Sequence, residues 1–165
     1  MMETKTQSLA DMSATCRLWI FQSSKIIKGE LLGEVNERIV NFLSNWAAHG
    51  SELFCGFEIY FERFIVIAVD ESKAPATGCS IDGLMAVIQE IDQSYELDLL
   101  NRMKVAYMVA DEVKECDVNA FRDMLQAGSV NSETIVFNNV LDSLEQLKKD
   151  WQVPVSKSWH ATLLP

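Results

Sequence analysis

No GxxxxGK(S/T) run occurs in the 165 residues. The chain therefore lacks a phosphate loop, in which backbone amides and a lysine surround a triphosphate. No cysteines form CxxC and no histidines form HxxxH, the short spacings that mark strong metal sites. The four cysteines, Cys16, Cys55, Cys79 and Cys116, are widely separated, and free thiols in a reducing cytosol are expected in place of a disulfide framework. Basic residues are scarce: 14 Lys and Arg stand against 24 Asp and Glu, for a net charge of −10. Such an acidic chain argues against nucleic-acid or anionic-membrane partners, which require clustered positive charge. Lys25 with Lys28, and Lys148 with Lys149, are too thin for such a patch. The longest apolar run, residues 64–69, is far shorter than the roughly 20 residues of a membrane-crossing helix. Residues 1–13 are polar and lack the apolar core of a secretion signal. A cytoplasmic protein is expected.

What is present is a globular composition, 48% hydrophobic and 23% charged, which excludes wholesale disorder. The chain is organised around residues 53–82. Two apolar runs, 53–61 and 64–69, flank Glu62 and Arg63 and predict a β-hairpin. The second run is apolar on both faces, with Ile65, Ile67 and Val69 on one and Phe64, Val66 and Ala68 on the other, as suits the middle of a covered sheet. Residues 16–22 predict a strand before the hairpin. Residues 30–48 predict a helix through Leu31, Leu32, Val35, Ile39, Phe42, Leu43 and Trp46 at 3.6-residue spacing. A second helix is expected over 81–95 and a fourth strand over 105–110.

This order, βαββαβ, is that of ferredoxin-like folds. The predicted class is α+β: an antiparallel or mixed sheet with that core over 15–110, and an α/β extension over 111–165 packed on it in a single domain. Residues 1–14 are expected to form a flexible tail. In the extension, residues 113–116 pair back on the fourth strand, Asp117 opens a helix ending at Gly128, residues 133–137 form a strand, and a helix runs from Asp142 to about Trp151. Two helices cover one face of a four-stranded sheet. The other is expected to show Trp19, Phe21, Phe54, Tyr60, Phe64 and Val66, a patch too apolar to leave in water. The extension is expected to cover it, within one chain or across a homodimer interface.

Several stretches, NWAAHGSEL, FIVIAVDES, GCSID, TIVFNN and WQVPVSKSWH, together resemble a family of small uncharacterised bacterial proteins sometimes labelled "ABC transporter ATPase". The resemblance spans Arg17 to Leu164 and brings no assigned catalytic residues. With no phosphate loop, ATPase chemistry does not carry over from that label.

Cys79 carries the sharpest chemical reading. It follows Gly78 at the expected start of a helix, where free amides and the helix dipole favour a thiolate. With His49 or His160 as base and Asp70 to orient it, a thiol-dependent hydrolase or acyl transferase can be written. The plainer reading makes Cys79 a small buried residue, His49 a helix end and Asp70 a turn cap. His49, His160 and Asp70 or Asp82 can also be written as a metal site, without the short spacings such sites favour, so neither metal nor cofactor is expected. Ser80 and Asp82, at the helix entry, form a candidate ligand pocket, with an ordinary serine cap as the alternative. The aromatic strands resemble RNA-recognition sheets in composition only, for ERFIVIAV lacks the required glycine and aromatic pair. Tryptophans around Pro154 near the C-terminus predict a terminal clamp, a lid or a self-association patch. The function expected is a binding or self-associating module, with thiol chemistry as its rival.

Overall fold

A computed structural model describes residues 6–165 of the chain. A two-residue strand, β1 (Thr6–Gln7), leads into a 3-10 turn at Leu9–Asp11. The edge strand β2 (Arg17–Gln22) follows, then helix α1 (Gly29–Ser44), which places Val35, Ile39 and Leu43 on its buried face. The helix predicted to Ala48 stops at Ser44. Ala47–Ala48 (β3) and Ser51–Glu52 (β4) instead form a small hairpin whose turn residues, His49 and Gly50, are both left-handed. The central hairpin follows as predicted, Phe54–Tyr60 (β5) against Phe64–Asp70 (β6), with Phe61 and Glu62 left-handed in its turn. Helix α2 runs from Gly78 to Tyr95.

The first sheet has the order β1-β5-β6-β2, and β6 is interior. Every residue from Phe64 to Val69 is fully buried, as its two apolar faces require. Cys55, Ile65, Ile67 and Val69 share a core with Ile39 and Leu43 of α1 and with Leu84, Ile88 and Ile91 of α2. Trp19 and Phe21 belong to this core and pair with Ile67 and Ile65, so they do not line the opposite face as expected. β2 is apolar on both sides, and no polar face fixed its orientation. The opposite face carries Leu18, Phe64, Val66 and Ala68. The tail expected over 1–14 is part of the fold from Thr6 onward: β1 pairs in parallel with Cys55 and Gly56, and Leu9 and Met12 are buried. The remainder of that tail lies outside the described residues.

The chain then forms β7 (Lys104–Val109), β8 (Glu112–Asp117), α3 (Val118–Ala127), β9 (Ile135–Phe137), α4 (Leu144–Asp150), β10 (Gln152–Pro154) and two 3-10 turns, Val155–Lys157 and Trp159–Leu163. The class is α+β, with the expected βαββαβ order along the chain, but β7 does not join the first sheet. It belongs to a second sheet of order β10-β9-β7-β8. Two causes are visible. Ala110 and Asp111, both left-handed, close β7 onto β8 by a tight turn, the pairing of lowest loop-closure entropy. The outer edge of β2, which a ferredoxin-like fourth strand would occupy, is taken at one end by a later segment: Leu18 N–H donates to Asp142 O, Leu144 N–H donates to Cys16 O, and Arg17 bridges to Ser143.

Two compact units result. One runs to Leu100 and adds Asp142–Glu145; the other comprises Asn101–Leu141 and Gln146–Pro165. The division expected after residue 110 of a single domain therefore falls ten residues earlier, between two units. The second unit has its own core, in which Val105 and Tyr107 of β7, Phe121 and Leu125 of α3, Val136 of β9, Val155 and Leu163 meet. Among the described residues, no helix is long and apolar enough to cross a membrane.

Candidate functional site

The loop from β6 to α2 organises the predicted site, and its polar groups are engaged locally. Asp70 Oδ1 accepts from the backbone N–H of Ser72 at 3.0 Å and from its hydroxyl at 2.6 Å, an Asx turn. These bonds, with a lesser pull from Lys73, hold the Asp70 carboxyl below the usual carboxylate range. Glu71 Oε2 accepts from the N–H of Ala76 at 3.1 Å. Thr77 then caps α2 reciprocally: Ser80 N–H donates to Thr77 Oγ1 at 3.3 Å, and Thr77 N–H donates to Ser80 Oγ at 2.7 Å. The cap is Thr77, three residues ahead of Ser80, and Ser80 is buried inside it. Its hydroxyl is committed to this turn, and its carbonyl accepts from Trp46 Nε1 at 2.8 Å.

Cys79 stands on the first turn of α2 and is the one exposed cysteine of the four, all of which are free. Cys16 and Cys55 are buried, and burial pushes the Cys55 thiol up to about 12. Asp82 is exposed just beyond that first turn of α2. His49 is exposed in the β3–β4 turn of the same unit, and the Trp46 bond to Ser80 fixes the base of that hairpin. Among the described residues, no hydrogen bond joins Cys79 to His49 or to Asp70.

His160 lies in the second unit and has a different environment. It is 1% exposed, its Nδ1 is 2.7 Å from Ser158 Oγ, and its ring stacks on Trp159 at 3.9 Å between centroids. Phe121 meets it edge-on at 6.2 Å. Burial pushes its pKa down to about 4, so the imidazole is neutral at pH 7 and enclosed by aromatic rings. The set of Cys79, His49, His160 and Asp70 thus spans both units, with Asp70 engaged by Ser72 and His160 by Ser158. Among the described residues, no three His, Cys, Asp or Glu side chains gather as metal ligands would.

One cluster lies outside the sequence-based expectations. Trp19, Phe42 and Trp46 pack together, with centroids 6.0 Å apart for the two indoles and 5.5 Å for Phe42 with Trp46, and the Arg17 guanidinium covers Trp19 at 4.9 Å. The Phe42–Trp46 spacing of i,i+4 at a helix end was its one visible sign. Comparison with protein-family models, with curated proteins and with solved structures finds no match for the chain.

Proposed function

We propose that this chain is a non-enzymatic binding module of the bacterial cytoplasm, related to the small uncharacterised bacterial proteins that its motifs resemble. The observation that carries this reading is the dispersal of its chemical groups. Nucleophilic catalysis needs a base within hydrogen-bond reach of the thiol and a third group orienting that base. Among the described residues Cys79 has no such bond to His49, Asp70 is engaged by Ser72, and the buried His160 is engaged by Ser158. The net charge of −10 favours protein partners, a second copy of the chain among them, over nucleic acids.

A surface suited to binding lies at one end of the first unit. Ile26 and Phe61 are about half exposed on two loops locked together: Ile27 N–H donates to Glu62 O, Ser23 N–H donates to Arg63 O, and the buried Arg63 guanidinium donates to Ser23 O. Apolar side chains on a braced frame bind with little ordering cost.

The rival reading, thiol chemistry at Cys79, is favoured by that residue's exposure at a helix start. Alkylation kinetics separate the two. In the native protein Cys79 is expected to be alkylated first of the four cysteines, at the same rate in wild type and in His49→Ala. A rate about tenfold or more lower in His49→Ala would reveal a thiol activated by imidazole and would overturn the binding-module reading.

A further inference from the structure

We propose that the C-terminal turn Trp159–Leu163 is a proton-released clasp on the core of the second unit, with His160 as its trigger. The turn is pinned by two apolar groups and one polar one. Leu163 and Trp159 pack on the core built from Phe121, Leu125 and Val155. His160 lies between Trp159 and Phe121 and is tied through Nδ1 to Ser158. Ser158 Oγ also accepts from the His160 backbone N–H at 3.3 Å and reaches Val155 O at 3.4 Å. One hydroxyl thus fastens the turn to the segment before it.

The elements around the imidazole offer no countercharge. The buried face of α3 is Val118, Phe121 and Leu125, and its Arg122 and Asp123 are exposed. Lys157, on the preceding turn, is exposed as well. The titratable groups sharing this core are Tyr107 and Cys116, both held neutral by burial. A proton added to His160 therefore creates an unpaired buried charge, which is relieved most directly by swinging the ring into water. That movement takes Trp159 and Leu163 with it and uncovers Phe121 and Val155.

The direction with pH follows from linkage. The folded imidazole is held neutral while the released one titrates near 6.5. The open state therefore binds more protons, so closure is complete above about pH 6.5 and is lost as pH falls toward about 4. Within that window the opening equilibrium rises up to about tenfold per pH unit.

Amide hydrogen exchange of the full chain, corrected for intrinsic rates and read separately for residues 155–164 and for β6, tests the clasp. The expected result is a fall in protection of residues 155–164 of about 40-fold between pH 6.5 and 4.5, far exceeding any change in β6. In His160→Phe, which keeps an aromatic ring and removes the proton site, the excess loss should vanish. Should that variant not fold, the wild-type imidazole resonances decide, since His49 and His160 are the only two. His160 titrating near the ordinary 6.5 while residues 155–164 stay protected would overturn the proposal. So would loss of protection in step with β6 at every pH.

Discussion

Truncating Ile67 to alanine is expected to destabilise the first unit by about 2–5 kcal/mol, the range for large-to-small changes at sites that cannot collapse. Ile67 is fully buried at the centre of the interior strand β6. Trp19 and Phe57 face it from the strands on either side, and α1 and α2 close over the same layer. Each neighbour is held by its own sheet pairing or helix, so little can move in to fill the missing volume. The measurement is the denaturant midpoint of the first unit, followed through the exchange of β6 amides. A midpoint unchanged within error would mean that the layer repacks freely. Ile67→Val, which removes one methylene, should cost about 0.5–1.5 kcal/mol and serves as the graded control.

The second large effect is expected at Gly56, where the obstacle is backbone. A Cβ on Gly56 would press into the carbonyl oxygen of Gln7 and come within 3.0 Å of Met12 Sδ. Gln7 is held there because β1 pairs in parallel with β5, placing Gln7 opposite Gly56. A main-chain carbonyl cannot rotate away as a side chain does, so β1 must shift as a unit. Gly56→Ala should then cost about 1–3 kcal/mol, as overpacking does. Gly56→Val should detach the N-terminal segment and forfeit the burial of Leu9 and Met12, at about 1.5–3 kcal/mol for each side chain. A double-mutant cycle isolates the cause: in a chain lacking residues 1–12, Gly56→Ala should be nearly neutral. Equal costs with and without that segment would place the strain elsewhere.

These two positions also show what the sequence could and could not reveal. β6 was legible because both its faces are apolar along the whole strand, a pattern that suits an interior strand covered on both sides. β1 was hidden because Thr6 and Gln7 carry no apolar signal. Its sign lay on the partner strand, where a glycine amid apolar residues marks a close backbone approach. The facing of β2 was undetermined, since Leu18 and Ile20 on one side and Trp19 and Phe21 on the other are equally apolar; only pairing with β6 assigns them. The second sheet escaped because sequence order does not reveal which edge of β2 a later segment will occupy. At the candidate site, a helix entry near Cys79 was legible from Gly78 and Ser80, but the helix expected from 81 begins at Gly78 and its cap is Thr77, not Ser80. Spacing along the chain could not show that His49 and His160 fall in different units, nor that a neighbouring serine already engages Asp70.

The first unit is interrupted in sequence, and this sets the timing of its birth. A ribosome delivers β2, α1, β5, β6 and α2 in turn, yet the segment that caps the outer edge of β2 is translated only after α3 and β9. Until Asp142–Glu145 emerges, the nascent first unit holds Leu18 N–H and Cys16 O without the partners they have in the finished protein. A strand edge left open in this way is a template for wrong pairing, and the interval lengthens if translation pauses between Leu100 and Asp142. Chains stalled in that interval are the ones expected to aggregate or to recruit a chaperone. Synonymous changes that slow decoding there should lower soluble yield, although the purified protein, once made, would be identical.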